Sequence, residues 1–167
     1  LYLAHTSDRS LHFNGHAHGA DTLCAYSDSD WSVGHSTTGY ALVFGGAVFT
    51  HQSKRQTSIS LSSTEAEIMA ASACAVEVVH ARRLLAEMGV PQTSPTVLYI
   101  DNQGAVELSR DRKSCHRSRH VDRRYFKVRE LVGIGEIAVK HVPTEDNPAD
   151  VLTKPLPHNL FEKHTSK

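Results

Sequence analysis

The stretch Ser60-Leu61-Ser62-Ser63-Thr64-Glu65-Ala66-Glu67-Ile68-Met69-Ala70-Ala71 constrains this chain more than any other. It reads as the start of a long amphipathic helix. Apolar residues recur at Ile68, Ala71, Ala75, Val78, Val79 and Leu85, close to the 3.6-residue helical period. Ser62-x-x-Glu65 and Thr64-x-x-Glu67 are overlapping capping boxes, each pairing a hydroxyl with an acid three residues on. A helix needs one N-cap. With Ser62 in that role Glu65 closes the box, and Glu67 is left as a spare carboxylate beside an apolar face. A charge in that place calls for a reason, and lone acids elsewhere in the chain supply one.

Around this helix the chain divides into short elements. Residues 1–21 carry His5, His12, His16 and His18 with little periodicity and read as a linker from an upstream domain. A His-rich patch can bind zinc, but no full ligand set is present here. Residues 23–27 read as a strand ending at Asp28, residues 39–44 as a second, and residues 47–53 as a third, with Gly45-Gly46 as a hairpin turn. Three strands on short loops imply an antiparallel meander. The long helix runs over about residues 64–88 and is ended by Gly89 and Pro91. Residues 96–100 form an apolar strand of the fully buried kind, leading into Asp101-Asn102-Gln103-Gly104 and a short helix to Ser109.

A further helix is expected over residues 121–132, with Val121, Tyr125, Val128 and Leu131 or Val132 inward. Residues 137–142 form the last strand, and a short helix opens at Asp150 and ends near Lys154-Pro155. Residues 157–167 carry weak signals and read as a C-terminal tail. The order β-β-β-α-β-α-α-β-α describes an α/β architecture: a mixed five-stranded sheet with flanking helices, the main domain spanning residues 22–156.

At 167 residues the chain is long enough for one domain with a real core. Three scattered cysteines (Cys24, Cys74 and Cys115) with no CxxC favour a reducing compartment over a disulfide framework. The apolar runs are too short to cross a bilayer and no signal peptide is visible, so neither a membrane partner nor secretion is expected. A first residue of Leu1 rather than Met points to a piece of a longer chain. Formal net charge is zero, yet 9 of the 18 basic residues fall between Arg110 and Arg129. A neutral protein with one concentrated basic element suggests a polyanion on that face.

Four acids share a topological position. Asp28 ends a strand, Glu67 lies in the first turn of the long helix, Asp101 ends a buried strand and Asp150 opens the last helix. Such positions gather at the carboxyl edge of an α/β sheet, where these folds place their sites. Each acid also has an ordinary reading: a turn residue, a capping acid, an N-cap, and the N3 acid of an Asn147 cap with Pro148 at N1. Together they ask for more, because four converging carboxylates repel unless cations neutralise them. Oxygen ligands without His or Cys select Mg²⁺ or Mn²⁺, and two such ions about 3.5–4 Å apart form a phosphodiester-cutting clamp.

The residues that carry a resemblance are Tyr26 to Trp31 (YSDSDW), Leu61 to Glu67 (LSSTEAE), Tyr99 to Gln103 (YIDNQ), His116 to Asp122 (HRSRHVD) and Asn147 to Leu156 (NPADVLTKPL). In this order and spacing they resemble the ribonuclease H domain of Ty1/copia-type retrotransposon polyproteins, over about residues 23–161. The resemblance implies a ribonuclease H-like fold and a D-E-D-D set at Asp28, Glu67, Asp101 and Asp150 holding two Mg²⁺, with Mn²⁺ as a substitute. Asp30 and Glu65 are the near-duplicates. Asp28 directly ends the apolar strand, and Glu65 sits about 200° around the helix from Glu67, so both glutamates cannot face one metal pair.

By the same resemblance Ser62 and Ser63 meet a DNA phosphate, and Asn102 and Gln103 reach the RNA, whose 2′-OH distinguishes it from DNA. Helix capping is the other reading of the serines. Arg117, Arg119 and His120, with Arg123 and Arg124, would hold the nucleic-acid backbone. Many members of the wider family carry a mobile His in a loop before the last Asp. Here the loop is short and His141 stands at a strand end, where it reads as an ordinary strand residue.

The implied function is endoribonuclease cleavage of the RNA strand of RNA·DNA hybrids during reverse transcription. The implied partners are the hybrid and the upstream reverse transcriptase domain of the same polyprotein. The compartment would be cytoplasmic, in virus-like particles, with the nucleus as a second site. Alternatives are a non-catalytic hybrid-binding or scaffold module derived from such a domain, and a DNA nuclease on the same fold.

Overall fold

The first three strands build an antiparallel meander, and the first of the four acids lies on its opening strand. In the computed structural model, residues 10–14, 19, 21–32, 34–110 and 119–165 are described, with the backbone alone at 110, 119–123 and 125. Strand β1 (Cys24–Asp30), β2 (Thr37–Phe44) and β3 (Ala47–Arg55) pair antiparallel in sequence order. Gly45 and Gly46 have φ of 65° and 79° and close the two-residue turn between Phe44 and Ala47. Two successive positive φ values define a type I′ turn, whose twist matches that of the strands it joins. Strand β1 runs further than its apolar residues suggest. Asp28, Ser29 and Asp30 pair with Gly39, Thr38 and Thr37, so Asp28 lies inside the strand rather than at its end.

Helix α1 (Ser63–Glu87) follows, then β4 (Thr96–Ile100), α2 (Gln103–Arg110), α3 (Arg119–Gly133) and β5 (Ile137–His141). Two 3₁₀ segments, Thr144–Asp146 and Pro148–Leu152, lead to α4 (His158–Thr165). The sheet order is β3-β2-β1-β4-β5, with β1 parallel to β4 and β4 parallel to β5. This is the mixed five-stranded sheet expected from the sequence. Among the described residues no helix is long and apolar enough to cross a membrane.

Helix α1 starts as its sequence dictates. Ser62 is the N-cap, its Oγ accepting the N–H of Glu65 at 3.2 Å. Glu65 Oε2 reaches one residue further back than the usual box and accepts the N–H of Leu61 at 2.8 Å. Ala66, Ala70, Ala71 and Ala75 are buried along the helix, and such small side chains let it lie close on the sheet. The core beneath is formed by Leu42 from β2, Leu98 and Ile100 from β4 and Leu23 just before β1, with Val78 from α1 and Val128 and Leu131 from α3. Val128 and Leu131 face inward as the pattern predicts; the side chains of Val121 and Tyr125 lie outside the described residues.

Two features of the C-terminal part depart from the sequence reading. The helix opening at Asp150 is a 3₁₀ segment, capped by Asn147 Oδ1 through the N–H of Ala149 at 3.2 Å with Pro148 at its first turn. Helix α4 forms within residues read as a weakly structured tail. One contact ties it to the preceding 3₁₀ segment: Lys163 Nζ lies 2.6 Å from Asp146 Oδ1 and donates to the carbonyl of Glu145.

The segment carrying Asp150 is docked on the sheet by two residues that bear no charge. Asn147 is fully buried and donates through Nδ2 to the carbonyl of Ser27 at 3.0 Å. Gly39, opposite Asp28 in β2, supplies the space: a Cβ there would lie 2.6 Å from Thr153 Cγ2 and 3.0 Å from the carbonyl oxygen of Ala149. Gly39→Ala therefore overpacks the contact between β2 and the Asp150 segment. The expected loss is about 1–3 kcal/mol of stability, read as a lower urea midpoint at unchanged m-value.

Candidate active site

The sheet register brings two acids side by side. The parallel pairing of β1 with β4 ends at Ser27 opposite Ile100, so Asp28 and Asp101 are the next residues on adjacent strands. Helix α1 crosses above them and contributes Glu67 from its first turns. Asp28, Glu67 and Asp101 each offer a carboxylate oxygen, and these three atoms lie within 4.8 Å of one another. Asp28 and Glu67 are buried, at 2% and 5% exposure, and Asp101 is half-buried.

Each acid has a partner that fixes its orientation. Ser29 donates both its backbone N–H and its hydroxyl to Glu67 Oε1, each at 3.0 Å. Thr144 donates its hydroxyl to Asp101 Oδ2 at 3.0 Å, and the ring Nε2 of His141 donates to the Asp101 carbonyl at 3.1 Å. Thr153 donates its hydroxyl to Asp28 Oδ2. Asp150 stands outside the group of three and is linked to it by Lys154. The Lys154 Nζ lies 2.9 Å from Asp150 Oδ2 and 3.8 Å from Asp28 Oδ2.

The electrostatics are those of a site with too little positive charge. Burial, then the fields of Asp28 and Asp101, push the Glu67 carboxyl up to about 9, against the two hydrogen bonds from Ser29. Burial also raises Asp150, to about 6; Lys154 opposes this, while Asp28 and Asp101 add to it. Asp101 is raised by burial and by Asp28, with Thr144 and Lys154 acting the other way. For Lys154, burial alone would lower the value, but its bond to Asp150 and the three aspartate fields raise it.

Two oxygens in this cluster are buried with no hydrogen-bond partner, Glu67 Oε2 and Asp150 Oδ1. Orphaned carboxylate oxygens within an all-oxygen donor set fit a hard divalent cation. The residues present thus suit Mg²⁺ or Mn²⁺.

The near-duplicate acids separate cleanly. Glu65 is half-buried and spends its carboxylate on the helix cap, whereas Glu67 is buried in the cluster. Asp30, two residues beyond Asp28, is not in the group of three. The N-cap of α2 is Asn102, whose Oδ1 accepts the N–H of Ala105 at 3.0 Å, so Asp101 is free of that duty.

Of the residues read as touching substrate, Ser62, Asn102 and Gln103 flank the cluster at helix starts. Ser63 is the first residue of α1, exposed beside the cap. Arg117 lies outside the described residues, as do the side chains of Arg119, His120 and Arg123. The Arg124 guanidinium is 3.4 Å from Ser58 Oγ.

Sequence reasoning did not single out Ser29, Gly39, Thr144, Asn147, Thr153 or Lys154 as parts of the site. Lys154 did carry a signal, sitting four residues after Asp150 where a helical turn pairs opposite charges. Gly39 carried none.

The chain is 38% identical over 165 residues to the retrovirus-related Pol polyprotein from transposon TNT 1-94 of Nicotiana tabacum, covering 96% of this chain and 12% of that polyprotein. It is 37% identical over 150 residues to the Pol polyprotein from transposon RE1 of Arabidopsis thaliana, covering 87% of this chain and 10% of the relative. No protein-family model matches. Among solved structures it is similar to LC11-RNase H1 isolated from compost, with a TM-score of 0.62 at 15% identity, over 80% of this chain and 93% of the other. The same enzyme in complex with an RNA/DNA hybrid gives 0.54 at 15% identity, over 79% and 94%. The homologues are Ty1/copia-type Pol polyproteins, and the fold is that of ribonuclease H.

The chain thus spans about an eighth of the Pol polyproteins it matches. The ribonuclease H fold also accounts for the layout of the cluster, since the central parallel strand pair and the crossing helix deliver acids to one edge.

The raised Glu67 carboxyl has a direct consequence for the metal-free protein. Between its ordinary value of 4.5 and about 9 the folded chain holds a proton that the unfolded chain has released. Stability therefore falls as pH rises through that window. Glu67→Gln removes the penalty. In EDTA its melting temperature should exceed the wild-type value at pH 8, and the two should converge near pH 4. A lower Glu67→Gln melting temperature at pH 8 would contradict the assignment.

Proposed function

We propose that this chain is a metal-dependent endoribonuclease that cuts the RNA strand of RNA·DNA hybrids during retrotransposon reverse transcription. The observation that carries the reading is the buried group of Asp28, Glu67 and Asp101 at the carboxyl edge of a ribonuclease H sheet. A solved relative by fold was crystallised with an RNA/DNA hybrid, which supports the substrate class. Transposon Pol relatives support a polyprotein setting, with an upstream reverse transcriptase domain as partner and a cytoplasmic particle as compartment.

In this reading Asp28, Glu67, Asp101 and Asp150 would hold two Mg²⁺ ions, with Mn²⁺ as a substitute. Bound there, such ions lower the pKa of water and stabilise charge on a leaving 3′ oxygen. The chain's own residues do the positioning. Ser29 locks Glu67 Oε1 and leaves Oε2 buried without a hydrogen-bond partner. Thr144 holds Asp101, and Thr153 holds Asp28 from the docked segment. Cleavage needs no side-chain nucleophile, so water attacks and the products are a 5′-phosphate and a 3′-hydroxyl. In the same reading Asn102 and Gln103 would contact the RNA strand, and Ser62 and Ser63 a phosphate of the DNA strand. The basic stretch over residues 110–129, Arg117, Arg119 and His120 included, would follow the backbone electrostatically.

Cleavage of an end-labelled RNA·DNA hybrid at low salt tests this. With Mg²⁺ or Mn²⁺ the RNA of the hybrid alone should be cut, leaving duplex DNA, duplex RNA and single strands intact. Asp101→Asn should abolish cutting without unfolding the chain. Metal-independent cleavage, or cleavage that survives in Asp101→Asn, would overturn the proposal.

A further inference from the structure

The four acids are not equivalent, and the difference lies in Lys154. Asp28, Glu67 and Asp101 bring three oxygens together, and among the described ion pairs no cation contacts Glu67 or Asp101. The Asp28–Asp150 pair is different, because the Lys154 ammonium already lies between its two Oδ2 atoms, at 3.8 and 2.9 Å.

The backbone sets that position. The N–H of Lys154 donates to the carbonyl of Asp150 at 3.2 Å, closing one turn that lays the side chain back along the acid. The turn is itself pinned: Thr153 bonds to Asp28, and Asn147 anchors the segment to β1. The Lys154 side chain is one-third exposed, so its flexible stem has a route to solvent, while Asp28 and Asp150 are almost fully buried.

Resting on the two-ion reading above, we propose that Lys154 is the built-in cation of the metal-free site. It neutralises the Asp28–Asp150 pair until a divalent ion displaces it. The two ions then load in a fixed order. The first enters at Asp28, Glu67 and Asp101, where among the described ion pairs the ammonium meets Asp28 alone, and at the longer distance of 3.8 Å. The second takes the Asp28–Asp150 pair only by releasing Lys154 to solvent, and it binds more weakly for that reason. Lys154 is thus a positioning residue. It keeps two buried carboxylates in place before metal arrives and sets the metal concentration at which the site is complete.

The test is a Mn²⁺ titration of the 167-residue chain without nucleic acid, with free Mn²⁺ counted by electron paramagnetic resonance. Wild type, Lys154→Met and Lys154→Arg are compared, and each is melted in EDTA. Wild type should bind one ion tightly and a second about tenfold or more weaker. Lys154→Met should tighten the second ion by about tenfold or more and lower the metal-free melting temperature. Lys154→Arg, which keeps the charge, should preserve the wild-type gap; tightening in Lys154→Met but not in Lys154→Arg is an outcome that a merely structural lysine would not produce. If Lys154→Met fails to fold in EDTA, Lys154→Gln carries the same titration.

Second-ion affinity that is unchanged or weaker on loss of the charge overturns the role of Lys154. If wild type nevertheless binds Mn²⁺ and cuts the hybrid, the nuclease reading stands. Wild type that binds no Mn²⁺ and leaves the hybrid intact overturns both.

Discussion

Repulsion among buried carboxylates is the constraint on which the rest of the structure depends. Two ionised carboxylates at the 4.8 Å limit of the cluster repel by about 3–4 kcal/mol at an effective dielectric of about 20. Three such groups share one edge with a fourth close by, and desolvation adds to the cost. A small domain is stable by only about 5–15 kcal/mol, so the arrangement must be held by packing and neutralised in use. The surrounding structure bears the marks of both requirements. Ser29, Thr144 and Thr153 each donate to one of the acids, Lys154 bridges two of them, and Glu67 is driven toward its protonated form.

The fold meets the holding requirement by register. The parallel pairing of β1 with β4 puts Asp28 beside Asp101 with no adjustment of side chains. An alanine-lined helix can lie low enough for Glu67 to reach them. The last acid arrives on a separate piece of chain, docked through the buried Asn147 and the missing side chain of Gly39. Asp28 and Glu67 therefore sit within regular elements, Asp101 directly follows one, and the fourth acid sits on a 3₁₀ segment tied to the sheet by a hydrogen bond and a close backbone contact.

Much of this was legible in the sequence, because it depends on local patterns. The capping arithmetic at Ser62 separated Glu65 from Glu67, and the buried helix confirms that separation. The apolar run before Asp101 and the Asn147-Pro148 cap before Asp150 marked both positions at element boundaries. What was not legible depends on contacts between distant segments. Gly39 looks like any strand glycine until the Asp150 segment is laid across it, 110 or more residues away. Strand β1 outruns its apolar residues because Asp28 to Asp30 pair with β2, which no periodicity reveals. Helix α4 has a weak pattern of its own, and its tie to the 3₁₀ segment through Lys163 and Asp146 is a contact between separate segments. Lys154 was visible as a charge near Asp150, but its reach to Asp28 requires the docked geometry.

The central claim is that this carboxylate cluster is a divalent-cation site in the folded chain. Thermal unfolding of wild type in EDTA and in rising Mn²⁺ tests it most directly, because an ion that binds only the native state stabilises it by mass action. The account predicts a melting temperature that climbs with the logarithm of Mn²⁺ concentration above the dissociation constant, and no such climb in Asp28→Asn. A wild-type melting temperature indifferent to Mn²⁺ would contradict it.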